Sequence, residues 1–238
     1  MSGKYFLGAY WPPRRESLER CAERLSDFLT DLAASDTSFS HWFQAAGSRK
    51  SSLKRPVVVG EKEGLVQLLE RGRHLRDIPK TVIEELGFQI VLWNGQNSGK
   101  RSILRIHCGC YWESPNQNAT LYNNVILDFP DDFDALAEPE RMVQILSTAA
   151  RAWEPDWAGI ISEAAMNARD FDVRVPFVDW MVFLPWKIRG LPVPSIVKEL
   201  HGNGSIIVVQ PNPPSGGNSK EMAVIVQVED VIRKIPKR

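Results

Sequence analysis

The residues whose types and spacing come nearest to known chemistry are Gly95 to Ser102, a stretch that follows an apolar run and contains Gly99 and Lys100. A phosphate-binding loop is excluded by the spacing. Three residues separate the glycines, and Arg101 follows the lysine where a hydroxyl side chain would hold magnesium. The next run reads as a strand, so no helix N-terminus is there to receive a phosphate. His107, Cys108 and Cys110 offer metal-ligating atoms. Strand alternation puts His107 on the opposite face from both cysteines, and no second Cys/His pair stands at zinc spacing. Core packing is the reading preferred for them. Ser51 with Lys54, and Ser195 with Lys198, match Ser-x-x-Lys. The companion motifs Ser-Asp-Asn and Lys-Thr-Gly are absent, as is a Gly-x-Ser-x-Gly elbow. His41, His74, His107 and His201 are scattered without a nucleophile beside them. No catalytic residue, cofactor site or metal ligand is assigned.

Two charged features remain. Asp128, Asp131, Asp132, Asp134, Glu138 and Glu140 crowd one stretch around Phe133. They read either as a solvated loop whose last acids favour the following helix N-terminus, or as an acidic patch for a basic partner. On the second reading, aromatic anchors are expected beside the acids: Phe133, Trp153 and Trp157. The two tryptophans can equally be buried, since Trp153 ends a helix and Trp157 starts a strand. The basic loop with Arg49, Lys50, Lys54 and Arg55 lacks the interleaved aromatics of a single-strand groove and reads as solvated surface.

The whole chain bounds these readings. Its 238 residues suit one large domain, with Pro130 to Glu138 the best place for a subdivision. Twenty-nine basic and 29 acidic side chains cancel, which argues against a chain-wide affinity for nucleic acid or an anionic membrane. Three cysteines do not make a disulfide framework. The N-terminus has no signal-peptide pattern and no apolar run approaches a membrane span, so a reducing cytoplasm is the expected compartment. The sequon Asn118-Ala119-Thr120 has no meaning there. Eight tryptophans serve either as core or as interface anchors.

The elements that must position all this begin with an apolar run, Tyr5 to Trp11, stopped by Pro12 and Pro13. Leu18, Cys21, Ala22, Leu25, Phe28, Leu29 and Leu32 then recur at spacings of three and four, which predicts an amphipathic helix. An aromatic cluster, Phe39, Trp42 and Phe43, follows. Gly47 to Arg55 reads as a loop. Short helices are predicted around Leu65 to Arg71 and from Pro79 to Leu86, the second stopped by Gly87. Phe88 to Trp93, Arg101 to Trp112 and Leu121 to Phe129 read as strands of an antiparallel meander. Pro139 to Trp153 reads as a helix with Pro139 in its first turn. Further strands are expected at Asp156 to Ile161, Phe177 to Leu184, Ser205 to Gln210 and Ala223 to Val228, with a short helix or turn at Ser195 to His201. Strands lie adjacent without regular β–α alternation. The expected class is α+β with a largely antiparallel sheet, a long N-terminal amphipathic helix and further helices packed on it.

Specific residues resemble a known family. Tyr10-Trp11, Arg15 and Glu16, Cys21-Ala22, Arg24, Phe28-Leu29, Leu32 and Trp42 resemble the N-terminal pattern of the immunity protein 52 family. So do Leu92-Trp93-Asn94-Gly95, Trp153-Glu154-Pro155-Asp156-Trp157-Ala158, and Asp179-Trp180-Met181 with Leu184. Asp179 stands where a glycine is expected. The resemblance implies a protective partner of bacterial polymorphic toxins, including type VI secretion effectors. Such toxins often carry a restriction-endonuclease-like nuclease domain, which the immunity protein binds and neutralises without catalysis or cofactor. The implied partner is a cognate nuclease effector, with no nucleic acid and no membrane bound. Inhibition by plugging the active site and by blocking toxin assembly both remain open, as does homo-oligomerisation. A small cytoplasmic hydrolase with an unrecognised site and a nucleic-acid module based on Arg49 to Arg55 are the alternatives.

Overall fold

The computed structural model describes residues 4–114, 120–200, 202, 204–214 and 218–235. Strand β1 (Tyr5–Trp11) lies at its centre, and all seven of its residues are buried. It pairs antiparallel with β6 (Asn123–Asp128) on one side and β7 (Trp157–Ser162) on the other. Outward from β6 come β5 (Ile103–Cys108), β4 (Phe88–Trp93), β2 (Trp42–Gln44) and β3 (Pro56–Val57). Outward from β7 come β8 (Met181–Leu184), β10 (Gly204–Val208) and β9 (Ile196–Leu200). The result is a ten-stranded antiparallel sheet, and the class is α+β as expected. The strands before and after 130–138 hydrogen-bond to opposite sides of the same β1, so the sheet is continuous across that stretch.

Alternation along the strands explains why β1 is so deeply covered. Tyr5, Leu7, Ala9 and Trp11 point into the larger core, under helices α1 (Leu18–Ser35), α3 (Lys62–Arg71) and α4 (Pro139–Trp153). Phe6 and Tyr10 point into a second core on the other face, with Trp157, Ile161, Val182 and Ile207. That second layer includes α6 (Ser219–Arg233) and Ala165 of α5 (Glu163–Ala168). It covers the sheet from β1 toward β10. Over β4 and β5 it is missing, and there the residues alternate buried with partly or fully exposed. That half of the face has only partial cover, from single side chains and loop residues.

The first helix begins where its apolar stripe does, capped by the Ser17 hydroxyl accepting from the Arg20 amide. Of the predicted stripe, Cys21, Ala22, Leu25, Phe28, Leu29 and Leu32 are buried and Leu18 is half-buried; α4 buries Met142, Val143, Ile145, Leu146, Ala149 and Ala150. Its end is less ordinary. Glu154 adopts a left-handed conformation at φ 47°, and two arginines take up carbonyls of the last turn. Arg24 donates to Ala152 O at 2.6 Å and Arg14 to Trp153 O at 2.7 Å. Arg24 also holds Glu16 at 2.7 Å and Glu154 at 2.6 Å. Residues quoted above for the family resemblance thus meet at one helix end.

Four local expectations are corrected. Ala223 to Val228 is the interior of helix α6, because Ile225, Val228 and Ile232 at helical spacing bury together and Asn218 caps the start. Ser195 to His201 contains strand β9, held in register by β10 along its length; His201 lies outside the described residues. Pro79 to Leu86 is helical only as one 3₁₀ turn, Glu84–Leu86, since the backbone before it pairs across a loop through Leu75 and Val82. The loop Gly47 to Arg55 contains a short helix, α2 (Arg49–Ser52), capped by Ser48. The sequon residues Asn118 and Ala119 lie outside the described residues.

Candidate interaction surface

The turn from Asn94 to Arg101 stands between two clefts, and one buried side chain shapes it. Asn94 Oδ1 accepts the amides of Gln96 at 3.3 Å and Ser102 at 3.0 Å. Its Nδ2 donates to Lys100 O at 2.9 Å and to Ser38 O at 3.3 Å. The side chain thereby closes the turn and ties it to the segment ahead of β2. Gly95 follows at φ +76°, and a Cβ there would lie 2.6 Å from the Phe43 ring. Only glycine fits without displacing that ring.

On one side of the turn a cleft of about 420 Å³ opens on the partly covered half of the sheet. Val91, Trp93 and Ile103 form its floor, with Arg49 and Arg101 among its lining. On the other side a cleft of about 410 Å³ is polar, lined by Asp36, His41, Lys100, Asp132, Asp134 and Arg141 among others. The Asp132 amide donates to Gly99 O at 3.0 Å, joining the acidic stretch to the turn.

The predicted interface residues separate into three groups. Asp131, Asp132 and Asp134 are exposed and make no ion pair among the described residues. Asp128 sits on the sheet face, 2.6 Å from Arg105, and Glu138 lies 3.3 Å from Arg141. Glu140 at the start of α4 reaches Lys198 at 2.8 Å. The aromatic anchors are corrected. Phe133 is buried against Phe129 and Phe39. Trp153 is fully buried, stacked 5.6 Å from Trp11, and Trp157 is buried beside Tyr10 at 4.7 Å. Their large apolar area favours the core over the surface. An exposed ledge of three aspartates is what remains of that predicted patch.

His107 sits across the strand from Cys108, its Nε2 2.7 Å from Leu86 O and its ring 5.7 Å from His74. Cys21, Cys108 and Cys110 are free and buried. A hydrogen bond with Cys21, together with burial, pushes the Cys108 thiol well above its usual range. Asp179 is buried: its carboxylate accepts the Ser162 amide at 2.7 Å and lies 3.8 Å from Arg169. The missed features are the cleft floor and the cationic pair Arg49 and Arg101. The signals in the sequence were Leu92-Trp93-Asn94-Gly95, whose Trp93 is half-buried at the cleft, and the basic loop holding Arg49, which read as solvated surface. No helix among the described residues is long and apolar enough to cross a membrane.

The Pseudomonas aeruginosa T6SS protein PA0821 is similar in fold, with TM-score 0.57 over 97% of this chain and 73% of that one, at 13% identity. No curated protein sequence matches the chain. Residues 3–235 match the family described as immunity protein 52, so the chain belongs to that family, one of immunity proteins and not of enzymes.

Proposed function

We propose that this protein binds a cognate secreted toxin by direct contact and neutralises it, and that the toxin is a nuclease effector acting in the cytoplasm, where this chain also resides. Membership of the immunity protein 52 family carries the reading. The unpaired ledge Asp131, Asp132 and Asp134 supports a nuclease as the target. An enzyme that binds nucleic acid presents a positive groove, and an inhibitor gains on-rate and specificity from complementary charge. The fold likeness to a T6SS protein is compatible with delivery of the toxin by that system. The test is co-expression of the tagged chain with the toxin candidate encoded beside it. A co-purifying complex with host survival is expected. Survival without a complex would sink direct contact, and death without a complex would sink the immunity reading.

A further inference from the structure

The cleft on the partly covered sheet face has a composition that selects its occupant. Its floor is apolar, with Val91 40% exposed on a strand whose other face is packed. Two guanidiniums flank it, and no Asp or Glu lines it among the described residues. Arg49 and Arg101 are exposed, and neither is in an ion pair among the described residues. Among the described residues the Arg49 guanidinium reaches only the carbonyl of Gly95, at 3.5 Å. Lys50, Lys54 and Arg55, outside the cleft lining but close in sequence to Arg49, are exposed and make no ion pair among the described residues. Across the Asn94–Arg101 turn the sign reverses at Asp131, Asp132 and Asp134. The molecule is neutral overall; on one side of the turn the cleft lining carries two unpaired arginines, and on the other the three unpaired aspartates stand near Lys100 and Arg141.

We infer that this cleft receives a segment of the partner toxin that places one or two carboxylates beside a bulky apolar side chain. The apolar group sits on Val91, Trp93 and Ile103, and the carboxylates pair with Arg49 and Arg101, whose planar forks suit bidentate acceptance. A nucleic acid is disfavoured as occupant. Its phosphates repeat along the strand and would run from the two arginines onto the three aspartates, whereas a folded protein can present opposite charge to each of the two groups. The inference rests on the proposed function and goes beyond it. It places a second contact, of opposite charge to the acidic ledge, on the other side of the turn.

The experiment measures affinity for the co-expressed toxin in the full-length protein carrying Arg49→Glu and Arg101→Glu together. A control protein carries Arg71→Glu and Lys80→Glu, exposed cations outside the cleft. The cleft variant is expected to lose at least about tenfold in affinity, as for a broken charge pair at an interface. The control should stay near wild type, and both should melt with it, because the four side chains are exposed. Wild-type binding with an unchanged cleft variant overturns the site and leaves the immunity reading standing. No complex with the wild type overturns both. Retention of a labelled DNA duplex by the wild type, lost in the cleft variant, overturns the choice of a protein occupant.

Discussion

Asn94 Oδ1 accepts the amide of Ser102, eight positions further along the chain, at 3.0 Å. The contact closes the turn that separates the basic cleft from the acidic ledge. Ser102 is fully buried, so its amide finds no water if Asn94 is truncated. Asn94→Ala is expected to cost about 2–3 kcal/mol and to loosen the turn. Chemical denaturation gives the first quantity, and hydrogen exchange at residues 94–102 gives the second. Unchanged exchange there would refute the role assigned to Asn94.

Reversing the ledge tests the other charged field. Asp131→Lys, Asp132→Lys and Asp134→Lys together should leave the melting temperature within a few degrees, because the side chains are exposed and unpaired. Toxin affinity should fall at least about tenfold if complementary charge steers the complex. Calorimetric titration against the co-expressed toxin checks this; an unchanged affinity would move the interface elsewhere.

Trp153→Ala should destabilise the protein by about 3–5 kcal/mol, through the cavity left beside Trp11 and Phe28. Trp153→Phe should cost less. Its indole Nε1 has no hydrogen-bond partner among the described residues, so the smaller ring loses packing area without breaking such a bond. Equilibrium denaturation distinguishes the two. Toxin affinity in the Phe variant should match wild type, which separates a core residue from an interface anchor.

Arg24 is 6% exposed and holds three acceptors, on Glu16, Ala152 and Glu154. Arg24→Met leaves the Glu16 carboxylate buried with one partner lost, and is expected to cost about 3–5 kcal/mol. Thermal denaturation reads the loss. A melting temperature equal to wild type would show that the cluster adds nothing to the end of α4.

Burial raises the Asp179 carboxyl above its usual value of 3.8, with the Ser162 amide partly offsetting it. A carboxyl that binds its proton more tightly when folded stabilises the fold most below its unfolded value and loses that contribution as pH rises through the folded one. Asp179→Asn removes the ionisation and keeps an oxygen for the Ser162 amide. The variant should gain stability over wild type at pH 7, where the buried carboxylate is charged in the wild type. The gain should shrink as pH falls toward 4, the usual carboxyl range. Urea denaturation between pH 4 and 7 measures it, and a gain independent of pH would contradict the assignment.

Local order was written into the sequence wherever one period had no competitor. The stripe from Leu18 to Leu32, the alternation across Leu104, Ile106 and Cys108, and Pro139 at the start of α4 read directly as elements, because each binds its own neighbours. Ala223 to Val228 failed for the same reason. β-branched residues favour a strand locally, and a helix forms there because Ile225, Val228 and Ile232 meet a core built from other strands. Ile196–Leu200 is likewise a strand through its pairing with β10. The family resemblance was legible because most of its residues are interior: Trp11, Cys21, Phe28, Trp42, Trp153 and Trp180 carry the scaffold. The interaction surface was not. Arg49 and Arg101 meet at one cleft, and Arg24 finds Glu154 130 positions away, through sheet order and register. Those contacts depend on which strands become neighbours, a choice made by the packing of the whole chain and by no local pattern.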